Sequence, residues 1–344
     1  MIKVSVIVPI YNVSKYLNQC LTSLASQTME HSIFQVILID DGSTDSSGEI
    51  ADCFINKYSN FEVYHTANQG VSLSRKLGVT KAKGEYIGFV DGDDYCDHDM
   101  FRNMYEKAEY NDLDIVACRN YSFTDKGVEE SINTSLYDDK VARTYQEVFD
   151  SVIMNTIIDG SESVVLWNKL YKRKLFDDYE VDFGKNILED YLVNMQCLKH
   201  TKRFMQISKP LYYYRVSANS LSRSFKTEIF DRLLEVQLKK EEIFREEFSK
   251  DAALVCRADH WFIKYVESIV KSLYLFSSSD LNRDEYMICV LSNPVVIKKA
   301  KEQVSAGSKS VFAKLVSKGY YKQLLVLLKT YSAIYKVLKQ LKGN

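Results

Sequence analysis

The chain has 344 residues, of which 46% are hydrophobic and 26% charged, and its formal net charge is −1. This composition is typical of a globular protein with two or three substructures. The apolar runs are far shorter than the ~20 residues of a membrane-spanning helix, and the first residues lack the apolar stretch of a signal peptide. The seven cysteines form no C-x-x-C pair and no zinc spacing, so we expect reduced thiols in a cytoplasmic protein.

Strand and helix patterns alternate over the first part of the chain, which predicts a β-α-β sheet. The predicted strands cover residues 4–9, 35–39, 61–65 and 85–90, and the predicted helices cover 14–27, 43–58 and 70–81. In an open parallel sheet the carboxyl ends of the strands form the ligand crevice. We therefore expect residues 9–12, the pair 40–41 and the acidic run 91–94 to converge there.

The pattern becomes less regular further along the chain. We predict a helix over 99–110, a strand over 114–119, polar loops to 140, helices over 146–158 and 163–172, a helix opening at 188–195, short strands over 204–207 and 211–215, and helices from 225 onward. Boundaries near residues 112 and 224 divide the chain into regions 1–112, 113–224 and 225–344.

The acidic run 91–94, Asp-Gly-Asp-Asp, places its carboxylates directly after an apolar strand. Carboxylates at this spacing repel one another unless solvent, a proton or a cation relieves them, and a hard divalent cation is the usual relief. Gly92 lets the backbone turn sharply and come close to a ligand. A calcium loop of the EF-hand type is excluded, because its sixth and twelfth positions would be Cys96 and Arg102. The run predicts a metal site at a strand end.

A second acidic pair, Asp40 and Asp41, follows another apolar strand. Two such groups at strand ends suit a nucleoside diphosphate, because one carboxylate can accept hydrogen bonds from base or ribose while another binds a cation that bridges the phosphates. Taken alone, segment 40–43 is equally compatible with a solvated turn. The chain has no G-x-G-x-x-G after its first strand and no G-x-x-x-x-G-K, which argues against a dinucleotide oxidoreductase and a phosphate-loop NTPase.

Over about residues 2–224 these motifs resemble the inverting glycosyltransferases of family 2, of bacterial capsule and exopolysaccharide type, which have the GT-A fold. The resemblance implies an α/β architecture, with a mainly parallel sheet flanked by helices and a C-terminal helical extension. It rests on the order and spacing of several blocks, which are residues 4–12, 39–45, 68–70 with 74–75, 84–94, 167–171, 189–190 and 212–215.

The resemblance also implies roles for matching positions. Pro9 and Tyr11 would border the base, Asp41 would hydrogen-bond the uracil ring, and Asp91 would contact ribose or sugar. Asp93 would ligate Mg²⁺ or Mn²⁺ on the diphosphate. The full set of expected substrate- and nucleotide-binding residues is Pro9, Tyr11, Asn12, Asp41, Asn68, Arg75, Asp91, Gly92, Lys169, Glu189 and Arg215.

Asp190, the second residue of the Glu189–Asp190 pair, would be the base that deprotonates the acceptor hydroxyl. Such a base lowers the barrier because a hydroxyl is a poor nucleophile near neutral pH. The alternative is that the two acids only favour the start of a helix through its dipole. Lys169 and Arg215 could steady phosphates or could equally be solvated cations. The chain departs from the family at Lys76, where the family has Asn.

Residues 298–344 contain eleven lysines and one acidic residue, a net charge of +10, whereas the remainder of the chain carries −11. Within 322–342 apolar residues recur at alternating spacings of four and three, namely Leu324, Leu328, Tyr331, Tyr335 and Leu338. Such a basic amphipathic helix predicts docking on an anionic inner membrane surface, where each lysine adds ~1 kcal/mol. The alternative is a helix packed on the protein with its lysines in water. Nucleic acid is not expected, because no binding motif accompanies the charge.

We expect a metal-dependent inverting transferase that moves a sugar from a UDP-linked donor to a saccharide acceptor, free or lipid-linked, in cell-surface polysaccharide synthesis. Region 1–112 would bind the nucleotide sugar, 113–224 the acceptor, and 225–344 would be helical and dock peripherally on the inner membrane face. One alternative is a sugar nucleotidyltransferase, which would want a glycine-rich basic loop after the first strand. The other is a catalytically silent nucleotide-binding scaffold. The apolar residues Trp261, Phe262, Tyr265 and Leu273 fit either a core or the surface of a homo-oligomer.

Overall fold

The computed structural model describes residues 1–124, 127–130, 138–160, 164–185, 187–216, 227–276 and 282–342, with only the backbone described for 127–130 and 336–342. The chain forms two compact units, Met1–Ser217 and Ala218–Asn344. The first unit is built on a β-sheet and the second is helical. The finer boundary near residue 112 stays a prediction.

The first unit contains a ten-stranded sheet. Its strands are β1 Val4–Ile10, β2 Phe34–Asp40, β3 Phe61–His65, β4 Tyr86–Phe89, β5 Tyr95–Cys96, β6 Ile115–Thr124, β7 Gly127–Glu130, β8 Val141–Ala142, β9 Lys169–Lys172 and β10 Phe204–Arg215. The order is β3-β2-β1-β4-β9-β6-β10-β5, with β7 on β6 and β8 on β10. Strands β3, β2, β1 and β4 are mutually parallel, and β6 is parallel to β10.

Helices cover this sheet because its inner strands are buried along almost their whole length and are mostly apolar. Every residue of β2 is buried, and β1 is buried except for partly exposed Pro9. Strands buried on both faces need a helix layer on each side. The helices of this unit are α1 Ser14–Ala25, α2 Ser47–Lys57, α3 Val71–Lys81, α4 Met100–Asn111, α5 Tyr145–Val148 continued by a π-helical segment Phe149–Ile158, α6 Lys174–Asp177 and α7 Glu189–Lys199.

The helix predicted over 163–172 is wrong, because residues Lys169–Lys172 form strand β9. It lies between β4 and β6 and runs antiparallel to both. Leu170 and Tyr171 are both fully buried, because a central strand has no solvent face. A strand of four residues, Lys-Leu-Tyr-Lys, is too short for its periodicity to distinguish it from part of a helix.

The two short strands predicted on either side of Pro210 are in fact one strand, β10. It is one continuous strand paired with β6, and its register shifts on both sides of Pro210. Proline has no N–H for the ladder, so the shift accommodates it without ending the strand. Strand β6 likewise continues to Thr124 and pairs with β7, inside the region predicted as polar loops. Residues 131–137 of that region lie outside the described part of the chain.

The second unit is helical, as predicted from residue 225 onward. Its helices are α8 Ile229–Ile243, α9 Arg245–Lys250, α10 Ala252–Phe276, α11 Arg283–Leu291, α12 Pro294–Ser305, α13 Val311–Ser317 and α14 Tyr321–Lys342. The long helix α10 contacts α8, α9, α11, α12 and α14. Its residues Trp261, Phe262 and Leu273 are buried in this unit, so they belong to the core.

The apolar face of α14 that the sequence predicted to dock on a membrane is partly buried within the protein. Leu324 and Leu328 are each only 4% exposed, because α14 packs against α10 and α13. The Ser332 hydroxyl donates to the Tyr274 carbonyl of α10 at 3.1 Å. Thus the first part of the predicted membrane face is core, as in the packed-helix alternative. Leu338 lies outside the described side chains. Among the described residues, no helix is both long enough and apolar enough to cross a membrane.

Candidate active site

Three adjacent parallel strands, β2, β1 and β4, end side by side at one edge of the sheet. The backbone N–H of Asp41 donates to the Ile10 carbonyl at 2.9 Å. A Cβ built on Gly92 would lie 3.2 Å from the Pro9 carbonyl oxygen and equally close to a Val13 methyl group. The segments at the three strand ends therefore converge as the sequence predicted, and a side chain at position 92 would crowd the packing between them.

The buried carboxylate of Asp41 caps helix α3. Its oxygens accept hydrogen bonds from the backbone N–H groups of Gln69 at 2.8 Å and Gly70 at 2.7 Å. A carboxylate at this position also meets the positive end of the helix dipole. The oxygen that binds Gln69 also accepts from the Thr66 hydroxyl at 3.4 Å, and the oxygen that binds Gly70 has a lone pair for a further donor. Asp41 thereby fixes where α3 begins and faces the strand-end crevice.

Asn12 ties the end of β1 to the loop after β2. It has a positive φ of 51°, which Asn tolerates better than most residues. Its side-chain oxygen accepts from the backbone N–H of Thr44 at 2.8 Å and, more weakly, from that of Asp45 at 3.3 Å. The side chain therefore shapes the loop.

The guanidinium group of Arg75, on α3, joins the acidic run to the later acidic pair. It is 3% exposed and contacts Asp91 at 2.8 Å, Glu189 at 3.0 Å and Asp190 at 2.6 Å. These three carboxylates raise the pKa of Arg75 against the effect of its burial. Residues far apart in sequence thus meet at one cation, which we call the Arg75 ion cluster.

Asp190 lies in the first turn of α7, next to Glu189. Burial, together with the negative charges of Glu189 and Asp91, raises the pKa of Asp190 to about 7, although Arg75 and Lys169 oppose the shift. About 24% of the Asp190 side chain remains exposed, so a substrate hydroxyl has access to it. A carboxylate with a pKa near neutrality is well matched to accept a proton.

Asp93 is partly buried at the turn after β4. Burial and the neighbouring Asp91 carboxylate raise its pKa to about 6, and the cation of Arg215 only partly offsets them. Oxygen ligands that repel one another in this way fit a hard divalent cation, which would relieve the repulsion. The donor set is therefore compatible with the expected metal at Asp93.

The carboxylate of Asp94, by contrast, is buried and hydrogen-bonded within the protein. It is 1% exposed and accepts hydrogen bonds from the Tyr212 hydroxyl at 2.8 Å and the Arg215 backbone N–H at 2.7 Å. The same Tyr212 hydroxyl accepts from the Asp91 backbone N–H at 3.2 Å. Through Asp94 and Tyr212, β10 anchors the turn that carries Asp93.

Arg215 is held against the same turn rather than free in solvent. Its Nε donates to the Asp93 carbonyl at 2.8 Å, and its terminal nitrogen donates to Gln19 at 2.7 Å. The guanidinium lies between the rings of Tyr16 and Phe123, at 4.3 and 4.4 Å from their centroids. It is a fixed positive charge beside the acidic run.

Lys169 is buried to 5% exposure, where its ammonium group donates to the Val165 carbonyl at 2.6 Å and to the side chain of Asn168 at 2.8 Å. The solvated-cation alternative for Lys169 is therefore wrong. Close by in sequence, Trp167 stacks on Tyr212 and Tyr214 at centroid distances of 4.3 and 5.5 Å.

The remaining expected residues are more open. Tyr11 is 49% exposed and Asn68 is also exposed. A pocket of about 330 Å³ lies between the 66–69 loop and one face of α3, and Asp41 is the expected site residue in its lining. The lining residues are Asp41, Thr66, Gln69, Leu73, Ser74, Lys76, Leu77 and Thr80. Lys76, the departure from the family pattern, thus lines a pocket next to Asp41.

Among the described residues one group, Asp97, His98 and Asp99, brings three possible metal-ligand atoms close together. Its oxygens already have partners. Asp97 accepts from the Asp99 backbone N–H at 2.9 Å, and Asp99 accepts from Thr28 at 2.6 Å and Arg102 at 2.7 Å. The group organises the start of α4.

Two features of the site were not predicted from the sequence, namely the ion pairs of Arg75 and the role of Tyr212. Arg75 was expected to bind nucleotide, and nothing in its spacing indicated three acidic partners. Tyr212 was seen only as part of an aromatic strand, although its alternation with Tyr213 along β10 directs it to the buried face.

Relatives of the chain are glycosyltransferases. It is 35% identical over 224 residues to the uncharacterized glycosyltransferase EpsJ of Bacillus subtilis, which covers 64% of this chain and 62% of EpsJ. It is 33% identical over 227 residues to the glycosyltransferase GlyA of Streptococcus pneumoniae, covering 64% of this chain and 32% of GlyA. The chain thus matches less than two thirds of the length of either relative.

The fold is shared with Staphylococcus aureus TarS. A crystal structure of TarS 1–349 in complex with UDP-GlcNAc aligns over 98% of this chain and 92% of that one, with a TM-score of 0.73 at 22% identity. This likeness confirms the predicted GT-A fold with C-terminal helices. The sequence model described as Glycosyl transferase family 2 matches residues 5–180. With this match added to the strand-end crevice, the chain belongs to glycosyl transferase family 2.

Proposed function

We propose that this protein is a metal-dependent inverting glycosyltransferase that uses a UDP-sugar donor and a saccharide acceptor. The observation that carries the proposal is the Arg75 ion cluster, which brings Asp190 next to Asp91 at the strand-end crevice. An enzyme of this class needs a base for the acceptor and a carboxylate-lined diphosphate site, and the cluster joins the two.

Asp190 would accept the proton of the acceptor hydroxyl as that oxygen attacks the anomeric carbon. Attack from the side opposite the leaving nucleoside diphosphate inverts the configuration at that carbon. The pKa of about 7 keeps a large fraction of the carboxyl ionised at neutral pH while leaving it basic enough to take a proton. Arg75 would hold the carboxylate in place, since its guanidinium is fixed by two further acids.

Asp93 would hold Mg²⁺ or Mn²⁺. When bound, such an ion stabilises the negative charge that develops on the departing diphosphate. Arg215, held beside the Asp93 carbonyl, and buried Lys169 add positive charge to the site. Asp91, already bonded to Arg75 through one oxygen, has its second oxygen for ribose or sugar.

The donor assignment rests on the pocket at Asp41. The UDP-GlcNAc complex of TarS, which has the same fold, supports a uridine nucleotide. Pro9 and Tyr11 would border the base and Asp41 would accept from the uracil ring. Asn12 and Gly92 would act indirectly by shaping the two loops, and Asn68, exposed at the start of α3, would complete the rim.

We further propose that the acceptor is a saccharide of cell-surface polysaccharide synthesis, such as capsule or exopolysaccharide, and that it is lipid-linked. The protein would then work as a peripheral protein at the inner face of the cell membrane. The lysine excess of residues 298–344 supports this location, because it suits an anionic surface.

The proposal is tested with a panel of UDP-sugars, Mn²⁺ and saccharide acceptors, with released UDP as the readout. We expect UDP release with one donor, dependent on acceptor. Asp93→Asn should abolish it, whereas Asp97→Asn, in the neighbouring acidic group, should retain it. Nucleotide binding without turnover on any acceptor would instead favour the scaffold alternative.

A further inference from the structure

The last helix, α14, has a second apolar face, which the packing of its unit leaves exposed. Val326 is 62% exposed, Leu327 50%, Tyr331 43% and Ile334 55%. Leu327, Tyr331 and Ile334 are spaced by four and three residues, so they lie along one side of the helix, and Val326 widens this side by about a quarter turn. This side is next to the one that packs on α10, because Tyr331 contacts Lys271 of α10 at 5.7 Å. A row of large apolar side chains in water is unfavourable unless something covers it.

Lysines flank this apolar row. Lys322 and Lys329 stand one turn on either side of its first residue, and Lys329 shares its charge with Asp284 at 2.7 Å. Helix α13 packs against α14; Lys314 is exposed on α13, and Lys318, the residue that follows α13, is exposed as well. We call the apolar row together with Lys314, Lys318 and Lys322 the basic apolar surface.

We propose that the basic apolar surface binds an anionic lipid bilayer. Residues 303–344 contain eight lysines and no acidic residue, so two copies of this surface would bring like charges together. A dissolved polyanion would neutralise the lysines but leave the apolar row in water. A bilayer satisfies both, because apolar side chains enter the interface while lysines reach the phosphate groups.

This assignment rests on the proposed membrane location and deepens it by naming the surface. The binding face is not the one that the sequence predicted, because Leu324 and Leu328 of that face are core. The surface instead uses the adjacent side of the same helix and shares only Tyr331 with the predicted face. The helix lies along the bilayer rather than across it.

The test is co-sedimentation of the full chain with vesicles of neutral phosphatidylcholine, with and without phosphatidylglycerol. We expect binding only to the anionic vesicles, and weaker binding at high salt. Replacing Lys318 and Lys322 by Glu should weaken binding roughly 20-fold or more, since each lysine contributes on the order of a fivefold effect. A Lys250→Glu, Lys264→Glu double variant, on exposed lysines elsewhere in the unit, should bind as the parent does.

The apolar row has its own matched pair of variants. Leu327→Ser with Ile334→Ser should weaken vesicle binding roughly tenfold. Leu238→Ser with Ile288→Ser, on apolar side chains that are 57% and 44% exposed on α8 and α11, should leave it unchanged. Both double variants alter exposed positions, so circular dichroism should show native folding, and UDP release with a dissolved acceptor should be that of the parent.

Three results would overturn the proposal. One is equal binding to neutral and anionic vesicles. Another is tighter binding to polyphosphate in solution than to anionic vesicles. The third is concentration-dependent self-association in sedimentation that the Leu327→Ser, Ile334→Ser variant abolishes, which would make the surface an interface between copies. Loss of UDP release with vesicle binding intact would contradict the proposed enzyme function and leave this inference standing.

Discussion

Arg75 is a buried cation that forms ion pairs with three carboxylates, so a substitution at any of the four residues should affect the other three. Burying a charge is costly unless it is paired, and removing one partner leaves the others uncompensated. The Arg75 ion cluster should therefore contribute to both folding and catalysis. Within this cluster Glu189 contacts the same guanidinium nitrogen that contacts Asp190, the proposed base, and so helps to hold Arg75 in place.

We expect kcat/KM for sugar transfer to rise with pH and to level off above about pH 7. The base must be deprotonated to act, and burial raises the pKa of Asp190 to about 7. Below that pH the protonated fraction grows and the rate falls. A pH profile of UDP release checks this expectation, and a rate independent of pH between 5 and 8 would contradict it.

Arg75→Gln should move this acidic limb to higher pH, because the cation that lowers the pKa of Asp190 is lost. It should also lower the free energy of unfolding by about 3–5 kcal/mol, since three carboxylates lose their buried partner. Arg75→Lys keeps the charge but not the fork geometry and should lie between the two proteins. Urea denaturation and pH profiles of the three proteins measure both effects.

Strand β10 is the element that supports the acidic turn. Its Tyr212 hydroxyl connects the Asp94 carboxylate to the Asp91 backbone, and its Arg215 backbone binds the other Asp94 oxygen. Burial and the nearby Asp91 and Asp93 charges raise the pKa of Asp94 well above its usual value. The turn that presents Asp93 is thus fixed from a strand more than a hundred residues later in the chain.

Tyr212→Phe should cost about 1–3 kcal/mol of stability, because it leaves a buried carboxylate oxygen and a backbone N–H without their partner. It should also weaken Mn²⁺-dependent nucleotide binding by loosening the turn. Tyr213→Phe on the same strand is the control, since Tyr213 lies on the opposite, partly exposed face. Equal stability of the two variants would contradict this role for Tyr212.

Elements with turn residues at their ends were predicted from sequence, including the strands that are buried on both faces. The strands β1 to β4 and helices α1 to α4 have clear periodicity and turn signals, and all were predicted to within a few residues. Strand β9 was mistaken for a helix because its four residues, Lys-Leu-Tyr-Lys, are too few to show a period. In α14 the heptad-like spacing identified a helix correctly, but it could not tell which apolar side would pack on α10.

At the scale of the molecule, the parallel half of the sheet brings the proposed nucleotide-binding segments together, and helix α7 carries the proposed base, Asp190. Convergence of strand ends was predictable, because parallel strands carry their carboxyl ends to one edge. The ion pairs of Arg75 were not, because they join α3 to α7 through tertiary packing that no local pattern encodes. The helical unit adds a lysine-rich surface whose exposed side emerges only once its core is known.

Removing divalent cations with a chelator tests whether the protein depends on a metal ion. We expect EDTA to stop UDP release, and Mn²⁺ or Mg²⁺ to restore it, because the acidic run would otherwise repel the diphosphate. Thermal unfolding in EDTA should change little without nucleotide, since Asp94 and Arg75 keep their protein partners. Full activity in EDTA would contradict a metal at Asp93.

The central claim is that Asp190 takes the acceptor proton. The most direct measurement compares acceptor-dependent sugar transfer with UDP-sugar affinity in the parent and in Asp190→Asn. The account predicts a fall in kcat of about 100- to 10,000-fold, with the dissociation constant for the donor changed by less than about threefold. Transfer at the parent rate in folded Asp190→Asn would contradict it.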